Sequence, residues 1–115
     1  MKKVIILWVF LLPLALQAQE KKNKNAKATF EVSGNCEMCK KRIEKAALTV
    51  KGVKMATWDI PSNVMSVIYD SNKAPLKTLQ GEIAKVGHDT PLVKAKDVVY
   101  DELPQCCLYE RMPEE

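Results

Sequence analysis

Between Ala28 and Lys94 the spacing of apolar residues switches back and forth between a period of two and one of about 3.6, and few folds accept that order of segments. Ala28, Phe30 and Val32 alternate with Thr29, Glu31 and Ser33, which predicts a first strand ended by Gly34-Asn35. From Glu37 the period changes. Ile43, Ala47 and Val50 recur at helical spacing, Lys and Glu fill the opposite face, and Gly52 stands where a C-terminal cap glycine belongs, so a helix is expected from about Glu37 to Lys51. The β-branched and aromatic runs Val53 to Ile60 and Val64 to Asp70 flank the turn-forming Pro61-Ser62-Asn63 and predict an antiparallel hairpin. Pro75 is expected at the first position of a second helix, which carries Leu76, Leu79, Ile83 and Val86 until Gly87 stops it. Thr90 to Lys94 then supplies a fourth strand.

The resulting order, βαββαβ, predicts an α+β, ferredoxin-like sandwich: a four-stranded antiparallel sheet with two helices on one face. It occupies residues 28–95, and residues 96–115 form a C-terminal extension. In that extension Asp97 is expected to cap a short helix through Val98, Val99, Tyr100 and Leu103, with Pro104 ending it before Gln105-Cys106-Cys107. A chain of 115 residues with 47% apolar and 28% charged residues has room for one domain and one modest core.

The N-terminus reads differently. Met1-Lys2-Lys3 is a short basic region, Val4 to Leu16 is apolar apart from Pro13, and Ala18 offers a small residue for cleavage, the pattern of a secretory signal peptide over residues 1–18. The apolar run is shorter than the roughly 20 residues that span a bilayer, which disfavours the retained-anchor alternative. Cleavage leaves 97 residues outside the cytoplasm, periplasmic or extracellular, headed by a polar, lysine-rich lead-in over residues 19–27. Losing Lys2 and Lys3 takes the formal charge from +4 to +2, too small for a nucleic-acid partner, and no basic stretch with interleaved aromatics supports one.

The chemistry lies in four cysteines and one histidine, His88. Cys36 and Cys39 form a Cys-x-x-Cys at the strand-to-helix turn, where both sulfurs can converge on one point. A helix N-terminus favours anions and so lowers thiol pKa. Two exposed, converging thiolates suit a soft ion: Cu(I) first, with Hg(II), Cd(II) and Zn(II) behind it. The same spacing also serves a thiol-disulfide oxidoreductase, with Cys36 as nucleophile and Cys39 resolving, or a structural disulfide. Cys106 and Cys107 are a vicinal pair that can add ligands to the first two, form a separate thiol site, or enter a disulfide. In an extended segment adjacent side chains point to opposite faces, so only one of the two is expected to reach the Cys-x-x-Cys loop.

The stretches FEVSGNCEMCKKRIEKAAL, VKGVKMATWDI, VMSVIYD and IAKVGHD resemble the heavy-metal-associated domain of copper chaperones and of the N-terminal metal-binding domains of copper-transporting P-type ATPases. The resemblance runs from about Ala28 to Val93. It implies a ferredoxin-like fold, Cu(I) or another soft metal held by Cys36 and Cys39, and transfer to a partner by ligand exchange. Gly34-Asn35-Cys36 departs from the family's Gly-Met-x-Cys, and the C-terminal extension is an addition to the minimal chaperone. His88 falls at the corner where family members often carry Tyr, Phe or Lys, which makes it a candidate third ligand or a tuner of the thiolates.

Lys40, Lys41, Arg42 and Lys45 put positive charge beside the cysteines, suited to stabilising thiolates and to docking an acidic partner. Met38 is a candidate thioether ligand, whereas Met55, Met65, Trp58, Tyr69 and Tyr100 read as packing or sheet-surface residues. One histidine, no Gly-rich phosphate loop and no Ser/His/Asp arrangement leave no catalytic constellation and no small-molecule substrate. The expected function is therefore an exported, non-enzymatic soft-metal chaperone or scavenger. Its expected partner is a metal-transporting membrane ATPase or another metal donor or acceptor protein, and two Cys-x-x-Cys loops can bridge one metal in a homodimer.

Overall fold

The computed structural model describes residues 22–113; the expected signal peptide, residues 1–18, lies outside them. The elements are β1 (Ala26–Glu31), α1 (Glu37–Leu48), β2 (Val53–Trp58), β3 (Val64–Tyr69), α2 (Leu76–Lys85), α3 (Asp97–Asp101) and a 3₁₀ turn (Gln105–Cys107). No described helix is long and apolar enough to cross a membrane.

The strands form one antiparallel sheet in the order β1-β3-β2. Ala26 pairs with Tyr69 and Glu31 with Val64; Trp58 pairs with Met65, and the β2 register shifts between Val53 and Met55. The expected alternation in β1 is present: Ala26, Ala28 and Phe30 are half-buried while Lys27, Thr29 and Glu31 face solvent. The strand starts inside the segment expected to be a lead-in, and Asn23 is tied to Ser71 by bonds of 2.7 and 3.1 Å.

The core lies between the sheet and the helices. Ile43 and Ala47 of α1 meet Leu79 and Ile83 of α2 over Trp58, Met65 and Val67, all within one buried cluster. Trp58 anchors the end of the sheet nearest the cysteines. Its Nε1 donates to the carbonyls of Val32 (3.0 Å) and Asn63 (3.1 Å), so the indole is buried with its polar group paired.

The described residues hold a three-stranded sheet, not the expected four-stranded one. Thr90 to Lys94 is not a strand, because side chains take the backbone groups a ladder needs. The Thr90 hydroxyl spans Val93, Gln80 accepts from Leu92 N–H at 2.9 Å, Asp89 accepts from Ala95 N–H at 2.9 Å, and Pro91 has no N–H to give.

Helix ends also differ from expectation. α1 stops at Leu48, where Thr49 folds its hydroxyl onto Ala46 O (2.6 Å); Val50 N–H bonds to Ala47 O in a tighter turn, and Gly52 then takes φ +98°. Pro75 is the extended N-cap of α2 rather than its first helical residue, and Lys96, not Asp97, occupies the N-cap of α3. Pro104 opens the 3₁₀ turn instead of closing α3, which ends at Asp101.

Candidate metal centre

Cys36 is the extended N-cap of α1 (φ −153°, ψ 174°), and no side chain caps the helix there. The unpaired amides of the first turn and the helix dipole are thus left to act on the thiols. Cys39 lies one turn along, fully buried against the core. Gly34 is required before them: a Cβ there would lie 2.9 Å from the Trp58 ring and 3.2 Å from Cys39 Cβ, so the indole packs directly beneath the loop.

Around Cys36 three other thiols converge. Its Sγ lies 3.2 Å from Cys39 Sγ, 3.2 Å from Cys107 Sγ and 3.9 Å from Cys106 Sγ, and the two C-terminal sulfurs are 3.9 Å apart. Cys36, Cys106 and Cys107 form a set of donor atoms within 4.8 Å of one another. All four cysteines are free thiols. Met38 adds a thioether, its Sδ 3.6 Å from Cys106 Sγ.

The vicinal pair is not extended. In the 3₁₀ turn, closed by Cys107 N–H to Pro104 O at 2.8 Å, successive side chains no longer oppose each other, so both sulfurs reach the loop where only one was expected.

The electrostatics separate the two loop cysteines. Burial pushes the Cys36 thiol up, but hydrogen bonds from the Cys39 and Cys107 thiols and the Cys39 backbone outweigh it, bringing it from 9.0 to about 7. Burial dominates at Cys39 and pushes it up to about 12. Cys106 is raised, first by its hydrogen bond to Cys36. Of these three thiols Cys36 is the first to ionise.

His88 is buried with both ring nitrogens engaged. Nδ1 lies 2.9 Å from Ser33 O, which can only accept, so Nδ1 carries the proton and Nε2 faces the Arg42 guanidinium at 3.3 Å. Burial lowers its pKa to about 4, which keeps the ring neutral. The structure does not bring His88 to the sulfurs as a direct donor; it holds Arg42, whose Nη1 points at Cys107 Sγ at 3.4 Å. Lys40 turns away to Glu44 (2.7 Å) and Trp58 O (2.8 Å), while Lys41 and Lys45 stay exposed beside Met38 and Arg42.

Residues that the sequence reading passed over fasten the extension. Arg111 grips the buried Asp89 through Nε (3.1 Å) and Nη2 (2.7 Å) and reaches Asp97 at 2.7 Å. The Tyr109 hydroxyl donates to Gly87 O (2.6 Å) and accepts from Asp89 N–H (3.0 Å), its ring stacked on His88 with centroids 5.4 Å apart. The sequence offered one signal for this: a Tyr and an Arg just beyond the cysteine pair.

Residues 29–89 match the heavy-metal-associated domain. The chain belongs to this family. No curated protein matches it. Among solved structures, the CopZ metallochaperone is 27% identical and aligns over 56% of this chain and 98% of its own, with a TM-score of 0.55. The N-terminal domain of a potential copper-translocating P-type ATPase from Bacillus subtilis, in its Cu(I)-loaded state, is 28% identical over 64% of this chain and 92% of its own, with a TM-score of 0.56. The N-terminal domain of the zinc(II) ATPase ziaa, 23% identical over 79% of each chain with a TM-score of 0.50, shares the fold. Cys106 and Cys107 lie beyond the stretch that matches the heavy-metal-associated domain.

Proposed function

We propose that this protein is an exported soft-metal carrier, a chaperone or scavenger with Cu(I) as its cargo and Cys36 and Cys39 as the ligands that take it up. The observation that carries the reading is the pair of sulfurs 3.2 Å apart at the uncapped start of α1, one of them a thiol brought down to about 7. A thiolate available at neutral pH beside a second thiol matches the preference of monovalent copper for few, soft donors. The copper-named structures that align with this chain support the same cargo. Export rests on the basic and apolar pattern of residues 1–18. The exposed Lys41 and Lys45 beside the loop suit an acidic docking face on a metal-transporting ATPase or another metal-exchanging protein. Transfer proceeds as a partner thiolate attacks the bound ion and displaces one cysteine at a time. No group on the protein is oxidised or reduced in this exchange.

The test is anaerobic competition for Cu(I) and, separately, for Zn(II) between the reduced protein and a chelator of known affinity. Tight Cu(I) binding that outcompetes Zn(II) supports the reading, and Cys36→Ser/Cys39→Ser must abolish it. Zn(II) preferred over Cu(I) would remove copper as the cargo.

A second reading draws on the asymmetry between Cys36, near 7, and Cys39, near 12, which is the pattern of an attacking and a resolving thiol. Turnover of a disulfide substrate by a protein that takes up no metal would favour it.

A further inference from the structure

We infer that the C-terminal extension supplies two further metal ligands, so that an ion taken up at Cys36 and Cys39 passes into a three-sulfur site of Cys36, Cys106 and Cys107 and is enclosed rather than merely perched on the Cys-x-x-Cys loop. This inference rests on the soft-metal reading above.

Geometry carries it. With metal–sulfur bonds of about 2.3 Å, two opposed sulfurs stand about 4.6 Å apart, whereas sulfurs of a tetrahedral set stand about 3.8 Å apart. The observed separations around Cys36 are 3.2, 3.2 and 3.9 Å, and Cys106 to Cys107 is 3.9 Å. All four fall well short of a linear pair; the 3.9 Å separations match the edge of a three- or four-donor set, and the 3.2 Å contacts would open by about 0.6 Å to do so. Cys36 is common to every short approach between thiols except the one between the tail cysteines themselves, so the loop and the tail share it as their hub.

The tail is built into this position. Tyr109 and Arg111, immediately after the pair, are tied to Gly87 and the buried Asp89, and Leu103, before it, packs on Gly87 so closely that a Cβ there would lie 2.9 Å from its Cδ2. Fastened on both sides, the 3₁₀ turn has little freedom to leave the loop. Arg42, held by His88, places a positive charge 3.4 Å from Cys107 Sγ, where thiolates crowded together need one.

The ligands also divide by access. Cys39 and Cys107 are buried, Cys36 is intermediate, and Cys106 is exposed beside Met38. An ion taken up at Cys36 and Cys39 is then shared with Cys107 and, on the open side beside Met38, with Cys106, the thiol protons being released to solvent. With Cys39 and Cys107 buried, a partner thiolate has only Cys106 and the half-buried Cys36 to approach, which makes the site suited to retaining metal and releasing it slowly.

The experiment adds one equivalent of Cu(I), anaerobically, to the fully reduced protein and measures sulfur coordination by X-ray absorption and affinity by chelator competition. The expected result is three or more sulfurs per copper in the wild type. Cys106→Ser/Cys107→Ser should show two, with binding weaker by about tenfold or more. Cys107 is buried and its loss can disturb packing, so Cys106→Ser alone, at an exposed position, is measured beside it and should lose one sulfur. Two sulfurs in the wild type, or an unchanged count and affinity in the variants, would overturn the inference while leaving the Cys36/Cys39 carrier intact. No Cu(I) bound by the wild type would overturn both.

Discussion

Cys36 owes its reactivity to its place rather than its type. It sits where β1 has ended and α1 begins, so amide dipoles and three neighbouring thiols all act on one sulfur. Alkylation of the metal-free protein should therefore be fastest at Cys36, with a rate that rises through a midpoint near pH 7; Cys39, pushed up to about 12, should stay unreactive across that range. Peptide mapping after brief iodoacetamide treatment at a series of pH values reads both. A midpoint near 9 at Cys36 would show that the neighbouring thiols do not assist it. His88 gives a second pH dependence. Its folded pKa, about 4, lies below the unfolded value of 6.5, so between those limits the unfolded chain binds more protons than the folded one. The His88 contribution is complete above pH 6.5, and stability should fall by about 3 kcal/mol as pH drops toward 4, measured by urea unfolding. His88→Gln should flatten this window. Asp89, whose carboxyl is held below its ordinary 3.8 against the cost of burial, chiefly by Arg111, adds its own loss only at lower pH. The Cys-x-x-Cys at a strand-to-helix turn was legible from the change of apolar period at Glu37. The seat of His88 was not, because a buried ring paired to Ser33 O and Arg42 leaves the same trace in a sequence as a surface histidine.

At the scale of elements, the fastening of the tail matters most. Arg111 is the close charge partner of a fully buried Asp89, with Lys94 Nζ further off at 3.9 Å, and removing the nearer member of such a pair leaves the buried charge poorly compensated. Arg111→Met should destabilise the protein by about 3 kcal/mol in chemical unfolding. It should also raise hydrogen exchange over residues 104–113 and weaken Cu(I) binding in the direction of the Cys106→Ser/Cys107→Ser variant. Exchange confined to its wild-type level would mean that the extension is held by other contacts. Gly87 supports the same joint from the other side. Its φ of +111° and the Leu103 side chain pressed against it leave no room for a methyl group, so Gly87→Ala should cost about 1–3 kcal/mol, read as a lowered unfolding midpoint. The helices and the β2-β3 hairpin were legible because their periodicity is strong and Gly52 and Gly87 punctuate it. The fourth strand was misread because Thr90 to Lys94 has strand-like composition. Its donors are spent on Asp89, Gln80 and Thr90 side chains, a local competition that alternation does not register.

Residues 22–113 make up a heavy-metal-associated domain with a strap. The matched stretch, residues 29–89, ends at the aspartate that anchors the tail, so the addition is bolted to the last residue of the family unit. Fold class was legible in the order of segments; the meeting of Cys36 with Cys106 and Cys107 was not, since residues 70 and 71 positions apart are joined through the 3₁₀ turn and the Leu103, Tyr109 and Arg111 contacts. On the proposed ligand set the strap adds a lid of ligands to the uptake loop, and slower release of copper to a competing thiol than the Cys106→Ser/Cys107→Ser variant shows is expected. The central claim, that this is a soft-metal carrier acting through Cys36, is tested most directly by anaerobic chelator competition for Cu(I) with the reduced wild type beside Cys36→Ser/Cys39→Ser. Tight binding by the wild type that disappears in the variant is the predicted result; equal binding by the two, or none by the wild type, would contradict it.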